Sequence, residues 1–384
     1  MHILELPSFF PPCGGLFCLD QAKALSASGH DVRILSCVDI GITKMPREYL
    51  TLPFKRHWKV MDGIQVYQQY MRRIPKSIRL NQKRWVDCVL EMFDNYIKIY
   101  GCPDIIHAHC VKWAGYAAMI IKERYNTPYI ITEHCPRFIF EEELGTDYCK
   151  SWQLPLLKEA MYKADHVVIV SHELGDDIAP LFGNGYRHSV ISNTIDTDFF
   201  TPPLQKKTAR HNFVYPALLT QRKAHDVLFE ALAIVKRTVP DVKLHLAGFG
   251  TDSKKMEKMI SGYGIEDNVL IHGEIGKEEL RRLYYQCNYL VFPSRSESQG
   301  LVCLESCACG TPFIATESIP VSLRFSDSCY IVPINDAQAL AEKMLCSMDR
   351  ENINMAELHQ QVIDIASPDV FAKKFNKVIS DTIQ

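Results

Sequence analysis

The chain has 384 residues, 47% hydrophobic and 23% charged, which is enough for two domains with full cores. A net charge near −2 gives no general attraction to nucleic acid. No apolar run reaches the length of a membrane span. Met1 leads almost at once into a strand-like run, His2–Leu6, which leaves no room for a signal peptide and predicts a cytoplasmic protein. The 14 cysteines lie mostly inside apolar segments, among them Cys37, Cys88, Cys287, Cys303, Cys307 and Cys346. No C-x-x-C pair occurs, so buried reduced thiols are expected rather than structural zinc.

Strand-like and helical segments alternate throughout, the pattern of parallel α/β architecture. In the first half, strands are expected at His2–Leu6, Val32–Cys37, Ile105–Cys110, Tyr129–Glu133, Val167–Ser171 and Ser189–Ser192. In the second half they are expected at Phe213–Leu219, Lys243–Ala247, Val269–His272, Tyr289–Phe292, Phe313–Ala315 and Tyr330–Val332. The segment Asn193–Lys207, with Pro202 and Pro203, reads as a linker. Two doubly wound, Rossmann-like domains facing a central cleft follow, residues 1–197 and 208–366. In such sheets ligands bind beyond the carboxyl ends of the strands.

The first strand runs into Pro7–Gly15, whose paired glycines Gly14 and Gly15 precede a helix over Leu16–Ser28. Phe54–Arg84 is the most basic stretch: Lys55, Arg56, Lys59, Arg72, Arg73, Lys76, Arg79, Lys83 and Arg84 against Asp62 alone. Aromatic and aliphatic residues are interleaved with them. Two readings stand: a solvated, mobile insertion, or a surface for an anionic membrane or lipid-diphosphate acceptor. In Asp104–His109, His107 and His109 share one face of a strand. They could ligate a metal, but no third ligand is evident. Glu133-His134 ends the next strand in the same way.

The second half opens with Tyr215–Asp226, where Arg222 and Lys223 form a basic turn before a helix over Ala224–Arg237. Lys243–Gly250 is a strand running into a glycine turn at Gly248. The fullest signal is Val291–Thr316, read as strand, loop, helix, turn and strand. A helix opening at Gly300 offers the backbone N–H groups of Gly300, Leu301 and Val302, and the positive end of its dipole, to an anion. Glu297 and Glu305 flank that point with seven residues between them. Like charge keeps both from a phosphate, but both can accept hydrogen bonds from sugar hydroxyls. That arrangement suits a nucleoside diphosphate joined to a sugar. The final segment, Pro368–Ile383, reads as an amphipathic helix.

E-S-Q-G-L-V-C-L-E followed by A-C-G-T-P resembles the E-x7-E signature of the family 4 retaining glycosyltransferases of the GT-B fold. The resemblance extends to Asp104–His109, to Asn193–Pro202, and to the lysine of the G-R-L-x-x-x-K-G segment at Lys223. It departs at three positions: Thr194 and Ala224 stand for glycines, and Leu218 stands where an arginine is expected. Arg222 is the neighbouring cation, with its side chain expected to point elsewhere.

The resemblance implies transfer of a sugar from a UDP- or GDP-linked donor to a hydroxyl of a glycan or lipid-linked acceptor, with retention. No metal is implied, and no cofactor beyond the nucleotide-sugar. It places Lys223 and the amides of Gly300, Leu301 and Val302 on the diphosphate, Glu297 on the donor sugar and Glu305 on the ribose. It places Gly15, Arg222, Gly248 and Ile275 on the donor as well, and Gly14, His109 and His134 on the acceptor side. His109, Glu297 and Lys223 are then the catalytic candidates. A front-face displacement guided by the leaving phosphate is the implied route. The resemblance also implies that the last helix, 368–384, returns to the first domain. Cell-surface polysaccharide synthesis is the expected setting, at the inner face of the membrane if the basic stretch binds lipid. A sugar-nucleotide epimerase and a nucleotide-sugar-binding protein without turnover are the alternatives.

Overall fold

The computed structural model describes residues 1–43, 45–134, 151–205, 211–248, 250, 253–325, 328–350 and 353–383. The end of the expected linker at Lys207, Phe249 of the glycine turn, Cys135 and Cys149 lie outside the described residues. The chain divides into two units. One is Met1–Thr194 with Pro368–Gln384, and the other is Ile195–Ser367.

Among the described residues the first unit holds eight strands: β1 (His2–Pro7), β2 (Asp31–Ile40), β3 (His57–Met61), β4 (Ile64–Arg72), β5 (Ile105–His109), β6 (Tyr129–Glu133), β7 (His166–Ile169) and β8 (His188–Val190). They lie in the order β3-β4-β2-β1-β5-β6-β7-β8. All pairs are parallel except β3 on β4. Side chains alternate across the sheet. Leu4 and Leu6 join one apolar cluster with Trp85, Phe93 and Tyr96 of the helix Ile78–Tyr100. Ile3 joins another with Leu19 and Leu25 of the helix Leu16–Ala27, and with Phe371, Phe375 and Val378 of the helix Pro368–Ile383. His30 Nε2 and Asn376 Oδ1, 2.8 Å apart, tie that last helix down.

The basic stretch is not a mobile insertion. It supplies β3, β4 and the start of the helix Ile78–Tyr100. The turn between the strands is Asp62-Gly63, with φ of 48° and 84°. An Asp-Gly pair between apolar runs is the signature of a two-residue hairpin. Pairing to β2 then turns Val66, Tyr67, Tyr70 and Met71 inward. Several cations find acids: Arg56 with Glu91 at 2.6 Å and Lys83 with Asp87 at 2.7 Å.

The second unit holds β9 (Asn212–Pro216), β10 (Lys243–Ala247), β11 (Val269–Gly273), β12 (Tyr289–Phe292), β13 (Phe313–Thr316) and β14 (Tyr330–Val332). All pair in parallel, in the order β11-β10-β9-β12-β13-β14. This is the doubly wound Rossmann order, and its direction reverses between β9 and β12. In the first unit the reversal lies between β1 and β5. The loops leaving these four strands are therefore the places to look for ligand groups.

Thr194 is buried, and it is absent from the residues of positive φ. It stands in place of a glycine without backbone strain. Ala224 does carry a positive φ, 49°. A left-handed alanine costs about 1–2 kcal/mol. The 12 cysteines among the described residues are all free thiols. Among the described residues no helix is long and apolar enough to cross a membrane.

Candidate active site

In the second unit the two loops at the reversal point meet. The loop after β9 carries Arg222 and Lys223 on a short 3-10 turn, Gln221–Lys223. The loop after β12 carries Glu297. Lys223 Nζ donates to Glu297 Oε1 at 2.6 Å, and Arg222 Nη1 donates to the same oxygen at 3.0 Å. Arg222 Nη1 also donates to the Ser296 carbonyl at 3.0 Å. Arg222 thus does not point away from Lys223, as its sequence position suggested. The 3-10 turn rotates successive side chains less than a strand does, so both cations reach one acid. Leu218 is half exposed and brings no cation. Burial works against ionisation of Glu297, but Lys223 and Arg222 overcome it and hold its pKa below the usual carboxylate value.

Arg295 locks the two loops together. Its amide donates to the Arg222 carbonyl at 2.8 Å, and its guanidinium reaches Asp226 at 2.7 Å. Lys223 Nζ lies 4.7 Å from the Phe292 ring centroid, so the ring supports the charge from beneath.

Gly300 caps the helix Leu301–Ala308 in the left-handed region, φ 77° and ψ 53°. A Cβ there would clash with nothing, its nearest atom being 3.5 Å away, so the angle rather than space requires glycine. The helix geometry leaves the amides of Gly300, Leu301 and Val302 without intrahelical acceptors. Glu305, one turn further on, is half-buried and accepts from Tyr284 Oη at 3.2 Å. Gly248 follows β10, and its amide donates to the Gly273 carbonyl at 2.6 Å. Ile275 sits half-buried between β11 and the helix Lys277–Gln286.

In the first unit the reversal point holds a different set. Glu5 on β1 and His107 and His109 on β5 are all buried. Glu5 Oε2 lies 2.6 Å from His109 Nε2 and 2.8 Å from His107 Nδ1. His109 Nδ1 lies 3.0 Å from His134 Nε2. His107 Nε2 meets Thr132 Oγ1 at 2.6 Å, and its ring packs 4.3 Å from that of Phe375. Glu5 is the third ligand type that the two histidines lacked in the sequence. The ligand atoms of the three residues lie within 4.8 Å of one another, close enough to converge on an ion. One carboxylate oxygen instead takes both rings at direct polar contact.

Burial alone would raise Glu5, but the two imidazoles outweigh it and bring its pKa down to about 2. Burial and then His107 lower His109 to about 4, against the pull of Glu5. Burial, followed by His109 and His107, takes His134 well below the ordinary histidine value.

Gly15, before the helix Leu16–Ala27, has φ 85°, and a Cβ there would lie 2.2 Å from the Phe9 carbonyl oxygen. Gly14 has φ 84° but open space around it. Phe17, just after them, packs its ring 4.1 Å from that of His134, tilted by 33°. Beyond β5 the backbone is strained, with Cys110 at φ 68° and Trp113 at φ 70°. Ser8 pins that turn. Its Oγ lies 2.7 Å from the His109 carbonyl and 2.5 Å from the Lys112 carbonyl, with one proton to give between them, and accepts from the Ala114 amide at 3.2 Å. Glu133 Oε2 accepts from the Val111 amide at 2.8 Å. Strain held by such contacts clusters at functional sites.

Residues 196–366 match the family described as Glycosyl transferases group 1, and residues 15–199 match Glycosyltransferase Family 4. The chain is a family 4 glycosyltransferase. A Bacillus subtilis (strain 168) protein that carries the name teichuronic acid biosynthesis glycosyltransferase TuaC is 24% identical, over 89% of this chain and 88% of its own. Glycogen synthase of Mycobacterium tuberculosis (strain ATCC 25618 / H37Rv) is 27% identical, over 82% and 78%. Sucrose-phosphate synthase from Thermosynechococcus elongatus superposes with TM-score 0.78 at 20% identity, over 99% and 98% of the chains. Anabaena Alr3699/HepE in complex with UDP-glucose does so with TM-score 0.71 at 15% identity, over 99% and 100%. The two Rossmann-like units are those of the GT-B glycosyltransferases.

The transferase's second-unit residues were readable because they lie in one continuous stretch and one nearby turn. Glu5, Ser8, Glu133 and Arg295 were missed. Glu5 had a usable signal: an acid within an otherwise apolar, buried strand must find partners.

Proposed function

We propose that this transferase moves a sugar, with retention, from a UDP- or GDP-linked donor to a hydroxyl of a glycan or lipid-linked acceptor, without a metal ion. The observation that carries the reading is the group formed by Lys223, Arg222 and Glu297 at the reversal point of the second sheet, with the glycine-capped helix start of Gly300 in the same loop. Cations and bare amides suit a leaving diphosphate, and their fixed positions stabilise its charge as the sugar departs. The UDP-sugar complex of the HepE structure supports the donor class, and the name of the Bacillus relative supports a cell-surface polysaccharide.

Lys223 rests on Glu297. A diphosphate would draw the lysine toward its oxygens and release the carboxylate to a hydroxyl of the donor sugar. Glu305 would accept from the ribose, with Gly248 and Ile275 beside the nucleotide. The sugar–phosphate bond breaks, the acceptor oxygen bonds the anomeric carbon on the same face, and its proton passes to the leaving phosphate. Gly14, Gly15, His109 and His134 would serve the sugars from the first unit.

The test is donor consumption across UDP- and GDP-sugars, with and without an acceptor panel. Transfer with the anomeric configuration kept is the expected result. Epimerised donor, or tight binding with no turnover, would replace the reading with an epimerase or a binding protein.

A further inference from the structure

The hydrogen-bond chain in the first unit has only one consistent set of protons. An ionised carboxylate accepts and cannot donate. The proton between Glu5 Oε2 and His109 Nε2, 2.6 Å apart, therefore sits on Nε2. A neutral imidazole has one N–H, so His109 Nδ1 is bare and accepts. Its partner, His134 Nε2 at 3.0 Å, must then be the donor. Neutral His134 is left with a bare Nδ1. That nitrogen is buried and has no hydrogen-bond partner among the described residues. Asn193 also approaches the ring, and its Oδ1 accepts from Gln21 Nε2 at 2.8 Å.

We propose that Glu5 is a positioning residue that sets the tautomers of His109 and His134, and so leaves His134 Nδ1 as the acceptor for a sugar hydroxyl. The inference deepens the transferase reading and rests on it for the identity of the hydroxyl. His134 is suited to the task in three ways. Its ring packs against Phe17 at 4.1 Å, it follows β6, the strand beside β5, and its acceptor is buried. A buried, unpaired acceptor is costly and favours whichever donor arrives. Glu5 Oε1 is also buried without a hydrogen-bond partner, so the anion is held by its Oε2 contacts. Glutamine at this position has no charge and its amide can turn either face to the rings, which removes the constraint on the tautomers.

The experiment uses the whole chain, labelled with nitrogen-15 at histidine. Side-chain correlation spectra should show Nε2–H and bare Nδ1 for both His109 and His134. Glu5→Gln should lose that pattern at both rings. It should also raise the acceptor KM about tenfold, the loss of one hydrogen bond, while the Kd for UDP or GDP stays the same. His134→Phe, which keeps a ring against Phe17, should raise the acceptor KM equally yet leave His109 as Nε2–H. An Nδ1–H on either ring of the wild type overturns the inference. So does a stoichiometric bound metal, or a Glu5→Gln protein with unchanged tautomers. The expected tautomers in a protein that transfers no sugar would uphold the proton pattern and defeat the transferase reading instead.

Discussion

In the second unit one buried carboxylate, Glu297, lies under two cations; in the first, another, Glu5, lies against two imidazoles. Both sit at the point where strand order reverses, and both are more than nine-tenths buried. The chemistry around them differs. Lys223 and Arg222 bring permanent charge that an arriving anion can compete for. His109 and His134 are neutral near pH 7, and what they offer is direction: which nitrogen donates and which accepts. Permanent cations suit an anionic group, and neutral imidazoles suit hydroxyl groups. The same burial that strengthens the ion pairs in one unit suppresses protonation in the other.

Removing the charge should break the first half of this contrast most severely. Lys223→Ala should lower kcat/KM by about 10²–10³, the usual loss for one donor to a leaving charge. Near-normal donor turnover would mean that the diphosphate is held elsewhere. Gly15→Ala should come next, as a loss of stability rather than of chemistry. Its Cβ meets the Phe9 carbonyl at 2.2 Å, whereas Gly14→Ala meets no atom. Urea unfolding should show a loss of several kcal/mol for the first and about 1–2 kcal/mol for the second. Equal losses would show that the loop yields freely.

The neutral histidines predict a pH dependence. Burial lowers His109 to about 4, and burial with Lys223 lowers His225 to about 4. Between about pH 6.5 and 4 the unfolded chain binds protons that these rings refuse. Stability should therefore fall as pH drops through that window, by up to a few kcal/mol, and the depressed carboxylates of Glu5 and Glu297 extend the fall below it. Denaturation midpoints at pH 7 and pH 5 check this, and a higher midpoint at pH 5 would contradict it. Glu305→Ala should weaken UDP or GDP binding about tenfold in calorimetry, one hydrogen bond's worth. Unchanged affinity would take the ribose from it. Smallest per residue, replacing the exposed Lys55, Lys76 and Arg79 with serine should cost about 1 kcal/mol each in binding to phosphatidylserine vesicles. Failure of the wild type to bind at all would remove the membrane from the account.

Much of the second unit was readable along the chain because its site is local. Glycine, acid and helix start fall within a dozen residues or so, and helix geometry alone sets what those amides present. The hairpin His57–Arg72 was masked by its charge, although Asp62-Gly63 marked its turn. Alternation hides apolar faces inside a basic stretch unless the period is counted.

What the sequence determined by itself was the architecture and the glycine-opened start of the helix Leu301–Ala308, since both follow from periodicity and from near neighbours. Only the tertiary structure decided that Arg222 and Lys223 share Glu297, and that Glu5, His109 and His134 form one chain. Those groups come from different strands and loops, up to about a hundred residues apart. The direction of a hydrogen bond depends on what lies across it, and spacing along a chain does not contain that information.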